Sequence, residues 1–295
     1  MRKLEKVIDS PASTSDSSGS SLQKYSHIGI GGKAKYFFVP QTLSELAEIL
    51  VRAAEGNREI IPIGGCSNIL FGNVRDRVII SDQYLPVTCE SSNDLVVVSC
   101  NIKVGAFIEE MRRQNLGGLE FLAGIPAHLG GALHMNAGAF DKSISDYLSY
   151  LEIIDRQGKL QRIPASHIKC GYRSNSVQDF IVRAAFKLEK KSSAKIMAEI
   201  NRILSLRKER HPYDHPSLGS VFKNPEGHFA GILIRDCGLA GKRIGDAQIS
   251  TKHSNFILNL GNATFRDYKA LIDLAQAEVL KNMGVKLELE IKVLD

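Results

Sequence analysis

Residues 118–140 read GLEFLAGIPAHLGGALHMNAGAF. The stretch is dense in glycine and almost free of charge. Glycine at this density argues against a regular helix, because each one inside a helix costs about 0.5–1 kcal/mol relative to alanine. The apolar content argues against a surface linker. Two readings remain. Either the backbone lies directly against a large ligand and offers it N–H groups, or the segment is a tightly packed buried turn.

A second glycine turn lies upstream. Residues 61–71, IPIGGCSNILF, carry a strand into Gly64 and Gly65, followed by Ser67 and Asn68. Paired glycines at a strand exit leave N–H groups free to bind phosphate, and they also suit a plain strand-end turn. The stretch is not a GxGxxG fingerprint, and no GxxxxGK[ST] loop occurs anywhere in the chain. Two apolar glycine-rich stretches in one half of the chain favour one extended, phosphate-bearing ligand touched by both.

The composition bounds the partners. The 295 residues are 43% hydrophobic and 24% charged, enough for two or three compact globular units. A formal charge of +6 suits anionic small molecules. No block of Lys and Arg and no Trp point to nucleic acid. The cysteines Cys66, Cys89, Cys100, Cys170 and Cys237 are widely spaced with no CxxC, which reads as reduced thiols in a cytosolic protein. Residues 1–21 are Ser-rich and lack an apolar core, so they read as a flexible tail and not a signal peptide. No apolar run is long enough to span a membrane. His211 and His215 have metal-ligand spacing, but Pro212 and Pro216 forbid the helix that would align them, and no metal is expected.

The patterns along the chain predict an α+β protein in several small units. Residues 34–40 read as a strand, and 42–57 as a helix with Thr42 as N-cap and Glu45 completing a capping box. Strands follow at 59–65 and 77–82, then a strand, turn and helix over 94–115. A hairpin turns at Gln157-Gly158, and 180–190 is a further strand. A long amphipathic helix over 193–212 stops at its prolines. The last unit reads as a helix at 230–239, a strand at 253–260, a helix from Thr264 to Gly284, and a strand over 286–294.

Polar candidates cluster late. YRSNS, residues 172–176, precedes a strand. PSLGSVFKNP, residues 216–225, sets Ser220 after a glycine, with Lys223 and Asn224 beside it. Ser220 reads either as a functional hydroxyl or as an ordinary turn hydroxyl, and no GxSxG elbow makes it a hydrolase nucleophile. Glu288 and Glu290 share one face of the last strand, which is equally consistent with a solvated face.

Taken together in order, SHIGIGGKAKYFFVP, IPIGGCSNIL, the 118–140 segment, YRSNS, PSLGSVFKNP, residues 230–264 and LELEIKVL resemble the UDP-N-acetylenolpyruvoylglucosamine reductases. The resemblance runs from about Tyr25 to Leu294. It implies an FAD-binding fold of the vanillyl-alcohol oxidase type, built of two α/β subdomains, plus a C-terminal α+β substrate-binding domain. The implied layout is a tail at 1–21, an FAD-binding domain at 22–192 (subdomains 22–82 and 83–192) and a substrate-binding domain at 193–295, with 287–295 returning to the active site. The short connection after Arg173 implies the family form without an extra substrate loop. Departures are Cys66 in GGCSN, where the family has glycine, and Ala127 and His128, where it has glycine and a small hydroxyl residue.

The resemblance also implies a reaction: reduction of UDP-N-acetylglucosamine-enolpyruvate to UDP-N-acetylmuramate in peptidoglycan precursor synthesis, with non-covalent FAD and NADPH as hydride donor. It implies a cytoplasmic monomer with no nucleic-acid or membrane partner. The matching catalytic residues are Arg173, Ser220 and Glu290. Gly64, Gly65, Ser67, Asn68, Gly124, Ile125, Pro126, Gly130, Gly131, Ala132, Asn136 and Gly138 match the cofactor site. Tyr172, Lys223 and Asn224 match substrate contacts. Glu290 is expected to have a raised pKa or a partner, because an unpaired carboxylate beside the substrate carboxylate opposes the reaction. An oxidase of the same flavin fold on another substrate, or a nucleotide-sugar binder without flavin, would keep the glycine turns without needing Arg173, Ser220 and Glu290 together.

Overall fold

The computed structural model describes residues 19–295, so the tail expected over 1–21 lies almost wholly outside the described residues. The chain divides into two compact units. One comprises Lys35–Gly65 and Asp76–Ser205, and the other Ser21–Ala34, Cys66–Arg75 and Leu206–Asp295. These units cut across the linear layout expected from sequence. The reason is long-range pairing: residues 21–34 and 66–75 are bonded to the C-terminal part of the chain, as described below.

In the first unit, five antiparallel strands form a sheet in the order Leu160–Pro164, Leu148–Ile154, Phe180–Lys187, Leu95–Ser99 and Cys89–Ser92. The helix Val104–Arg113 buries Val104, Phe107, Ile108 and Met111, spaced as one helical face, in the core that this sheet contributes to. Phe107 meets Phe186 with ring centroids 5.5 Å apart. The sheet also carries a charge: Glu152, 5% exposed, accepts from Arg183 at 2.6 Å and Arg162 at 2.9 Å on the two flanking strands. A buried carboxylate with two guanidinium partners ties Leu148–Ile154 to both of its neighbours at a site where an unpaired charge would be costly.

Ile60–Ile63 runs parallel to residues 78–81, and the helix Leu43–Glu55 buries Leu46, Leu50 and Ala53 in the adjoining core. Thr42 accepts from Glu45 N at 3.1 Å as expected. Glu45 reaches back to Gln41 N at 2.8 Å, one residue beyond the N-cap.

The second unit contains an antiparallel sheet in the order Ser217–Ser220, Phe256–Asn259, Ala247–Ile249 and Arg243–Ile244. The helix Phe265–Met283 shares its core through Tyr268, Leu271, Ile272, Ala275 and Val279. Its ends follow the sequence signals: Thr264 and Asp267 form a capping box, and Gly284 takes the left-handed C-cap at φ +68°.

The single strand expected over 286–294 is instead two short pairings in series. Residues 288–290 bond to 221–223, through Lys223 N to Glu288 O and Glu290 N to Val221 O, both 2.8 Å. Lys292–Leu294 then runs parallel to Ile69–Phe71. Gly72 N donates to Leu294 O at 2.6 Å, and Asn73 N to Asp295 Oδ1 at 3.2 Å. Asn259 Nδ2 donates to Ile28 O at 2.9 Å, which ties in the N-terminal segment.

Among the described residues no helix is long and apolar enough to cross a membrane, and no cluster of three or more His, Cys, Asp or Glu suits a metal. All five cysteines are free thiols. His211 packs against Phe256 and His253, with centroids 5.1 and 5.8 Å away, instead of coordinating with His215.

Burial pushes the His211 imidazole down to about 4, helped by Arg207, His253, Lys252 and Arg210. The unfolded chain therefore binds a proton at His211 more readily than the folded one between pH 6.5 and about 4. Stability contributed by the neutral ring is present above pH 6.5 and is lost as pH falls through that window. In His211→Phe, which keeps the packing and removes the titration, Tm is expected to fall less between pH 6.5 and 4.5 than in the parent. Equal slopes in calorimetry would assign the acid sensitivity to other groups.

Candidate active site

The two glycine turns meet within the first unit. A Cβ on Gly64 would stand 3.0 Å from His128 Cβ and Nδ1, and one on Gly65 would stand 3.4 Å from His128 N and Pro126 O. A ligand lying on one turn therefore borders the other. The 118–140 segment contains a short helix, Leu129–His134, despite its glycines, because Leu129, Ala132 and Leu133 anchor it in the core. Exposed Gly131 is its open position, since a Cβ there would meet nothing within 4 Å. Gly124 is also exposed, at φ +80°, a conformation that needs glycine.

Other members of the expected cofactor set also make close contacts within the protein. Gly130 lets the helix approach Cys100, whose Cβ would stand 3.3 Å from an added Cβ. A Cβ on Gly138 would stand 2.6 Å from Lys142 O, so the strand pairing there needs glycine. Ala132 is buried. Asn136, 7% exposed, donates to Gly171 O at 3.0 Å and accepts from Ser145 N at 3.3 Å. The chain also buries the one acidic residue of this stretch: Glu120 accepts from Gly118 N at 2.8 Å and Lys191 Nζ at 2.9 Å.

The Asn136 bond positions Arg173. Cys170–Gly171 and Ser174–Asn175 pair as a minimal hairpin with Tyr172 and Arg173 as its turn. Asn175 Nδ2 fastens the other strand to Leu133 O at 2.7 Å. Arg173 occupies the left-handed region at φ +55°, and its guanidinium lies 5.0 Å from the centroid of exposed Tyr172. The turn thus holds a cation and an aromatic ring over the C-terminal end of the glycine-rich segment by way of two asparagine side chains.

The second unit brings Ser220 and Glu290 to neighbouring backbone. Gly219, at φ +76°, turns the chain into Ser220, which pairs with Phe256 beyond a bulge. Val221 follows and accepts from Glu290 N. Buried Asn255 clamps the next residue, with Phe222 N donating to its Oδ1 at 3.0 Å and its Nδ2 donating to Phe222 O at 2.8 Å. Lys223 Nζ lies 3.9 Å from Glu288. Asn224 Oδ1 accepts from Ala230 N at 3.1 Å, at the start of the helix Ala230–Asp236, which leaves its amide NH₂ for other partners. Asn68, expected on the cofactor, donates from Nδ2 to Glu290 O at 3.0 Å.

Sequence reading missed several supports. Asp82, 8% exposed, sets Oδ1 3.6 Å from His128 Nδ1, and neither atom has a hydrogen-bond partner. Asn255, Asn175 and the backbone of Val221 were equally unmarked. Their contacts span 33 residues or more in the asparagine and Val221 cases, and no local pattern encodes such a separation.

The comparisons agree with this layout. Residues 34–164 match the family model for an FAD binding domain, and residues 211–294 match that for the C-terminal domain of UDP-N-acetylenolpyruvoylglucosamine reductase. The reductase of Listeria innocua is 37% identical over 276 residues, 92% of this chain and 93% of that protein. That of Fusobacterium nucleatum is 37% identical over 274 residues, 92% and 96% of the two chains. The crystal structure of the Thermus caldophilus reductase superposes with a TM-score of 0.80 at 30% identity, covering 94% of this chain and 98% of that one. The FAD-binding fold and the C-terminal domain expected from sequence are both present, and the match over residues 211–294 favours a reductase over an oxidase of the same fold. With the glycine turns joined and Ser220 set beside the strand of Glu290, the chain belongs to the UDP-N-acetylenolpyruvoylglucosamine reductases.

Proposed function

We infer that Arg173, Ser220 and Glu290 are the groups with which this reductase converts UDP-N-acetylglucosamine-enolpyruvate to UDP-N-acetylmuramate, using NADPH, in peptidoglycan precursor synthesis. The observation that carries the assignment is the backbone bonding of 288–290 to 221–223, which sets Glu290 next to the Ser220 turn. Within this reading the working unit is a single cytoplasmic chain, and its partners are the nucleotide sugar and NADPH.

FAD, when bound, relays hydride from NADPH to the terminal carbon of the enolpyruvyl ether. Gly64, Gly65, Ser67, Gly124, Ile125, Pro126, Gly130 and Gly131 would hold it without a covalent bond. The residues fit such a group on two counts: the glycine turns adjoin, and Gly131 leaves the space of a side chain empty. Ala132, Asn136 and Gly138 lie on the same segment as Gly130 and Gly131.

The chain's own task is to manage charge and a proton. Hydride addition leaves an enolate, with negative charge on the neighbouring carbon and its carboxylate. Arg173 forks onto that carboxylate and stabilises the charge where it develops. Its place in a two-residue turn, anchored by Asn136 and Asn175, keeps the guanidinium from having to reorganise. Ser220 donates its hydroxyl proton to the enolate carbon. A serine hydroxyl is too weak an acid for most general acid catalysis, but an enolate carbon is basic enough to take this proton. Lys223, three residues after Ser220, restores the proton through solvent. Glu290 polarises the carboxylate region, and Tyr172, Lys223 and Asn224 contact the substrate.

Gly131→Val tests the cofactor assignment, because a Cβ at this exposed position meets nothing within 4 Å. FAD affinity, titrated by fluorescence on the apoprotein, is expected to drop at least about tenfold, a loss of about 1.4 kcal/mol, with an unchanged circular dichroism spectrum. Unaltered affinity in a folded variant would move the ligand away from this helix.

Ser220→Ala separates the two half-reactions. Bleaching of the flavin by NADPH requires no proton on a substrate carbon and should stay near the parental rate. Recovery of the colour on adding the enolpyruvyl sugar should slow by about 10²–10⁴-fold, the range of general acid catalysis. Anaerobic stopped-flow absorbance measures each. Equal slowing of both would make Ser220 a group that positions the flavin.

A further inference from the structure

Asn68 engages the C-terminal chain with both its side chain and its backbone. Its Nδ2 donates to Glu290 O at 3.0 Å, and its own carbonyl accepts from Lys292 N at 2.9 Å. These bonds fall where the C-terminal chain changes partner. Up to Glu290 it bonds to 221–223, and from Lys292 it bonds to 69–71. At the change, Val221 O receives Glu290 N at 2.8 Å and Ile291 N at 3.4 Å. A change of partner interrupts the ladder, so peptide groups there need donors and acceptors from outside it. The amide of Asn68 is such a donor.

The consequence is geometric. The N–H of Glu290 donates to Val221 O, the residue after Ser220, and its C=O accepts from Asn68. The peptide groups on the two sides of the Glu290 Cα are thus both tied, which fixes the direction in which the side chain leaves the backbone. Without the Asn68 bond the C=O side would lose its side-chain donor, at the point where the chain is turning. The bond of Lys292 to Asn68 O would keep the following strand in register, so the expected disturbance is local to Glu290.

We infer that Asn68 is a positioning residue for the reduction: its amide fixes the peptide of Glu290, and through it the placement of that carboxyl relative to Ser220. The inference rests on the reading of Glu290 as a participant in the substrate half-reaction. Asn68 touches no reacting atom in this scheme and acts through Glu290. A displacement of about 1 Å at a catalytic group is enough to cost on the order of 10²-fold in rate. Asp at this position keeps the shape, removes the donor and sets an anionic oxygen against a carbonyl oxygen. Gln keeps the donor on a longer arm.

The test uses the full-length, FAD-loaded enzyme with Asn68→Asp, Asn68→Ala, Asn68→Gln and Glu290→Gln. Stopped-flow absorbance gives the rates of the NADPH and substrate half-reactions. Hydrogen–deuterium exchange reports on residues 286–295, independently of turnover. In Asn68→Asp the ratio of the substrate half-reaction to the NADPH half-reaction is expected to fall at least about tenfold. Its pH profile should shift, and exchange should quicken in residues 286–295 while the rest of the chain is protected as before. Asn68→Gln should recover part of the ratio. Asn68→Ala gives the same reading, with a smaller effect, if the aspartate variant folds poorly.

Loss of both half-reactions in equal proportion together with loss of FAD would make Asn68 a cofactor contact and overturn the inference. A lowered Tm with an unchanged ratio and pH profile would make it merely structural and overturn it too. Glu290→Gln separates the two levels. If it slows the substrate half-reaction and Asn68→Asp does not, only the Asn68 inference fails. If it slows nothing, the assignment of Glu290 fails and takes the positioning role with it.

Discussion

The architecture of the second unit depends on one carbonyl. Val221 O accepts from the chain at the point where residues 288–294 leave one strand and join another. Ser220 precedes that carbonyl and Glu290 donates to it. The parallel pairing of Lys292–Leu294 with Ile69–Phe71 then draws residues 66–75 into the same unit. A contiguous sequence domain would have required none of this. Here, groups from three separated segments are brought into one hydrogen-bonded frame, and Ser220, Lys223 and Glu290 hang from it.

The first unit meets a different constraint, which is close backbone approach. Gly64 and Gly65 are packed against residues 126–128, so the turns cannot take side chains toward each other. Gly131 is free of that constraint, with its open side facing solvent. Gly130 and Gly138 each bring the backbone close to other protein atoms, whereas Gly131 leaves room for something else. His128 stands where the family has a small hydroxyl residue, and its ring fills the space beside Gly64 above Asp82.

Much of this was legible in the sequence, and the limits follow from the range of each signal. Capping boxes, glycine C-caps and apolar periodicity act within about one helical turn, so the helices at 43–55, 193–210 and 265–283 could be placed in advance. The resemblance supplied Arg173, Ser220 and Glu290 as a set. The interleaving of the units could not be read, because a strand's partner is chosen by complementarity across the whole chain and not by its own pattern. Residues 286–294 show why: their alternation gives the right faces for a strand but does not reveal that the strand serves two partners. The protein contacts of Asn68 and Asn136 could not be read for the same reason. An asparagine in a glycine-rich loop looks alike whether its amide faces a ligand or a distant carbonyl.

Arg173 sits at φ +55° in a turn position that glycine or asparagine would fill with less strain. Local folding preference and chemistry therefore ask for different residues at this one position. A lineage drifting under selection for thermal stability alone would be drawn toward the smaller residue and would lose the cation. On the role inferred for Arg173, arginine at this turn sets robustness against turnover, and a screen for heat-resistant soluble protein alone would select against the cation here first.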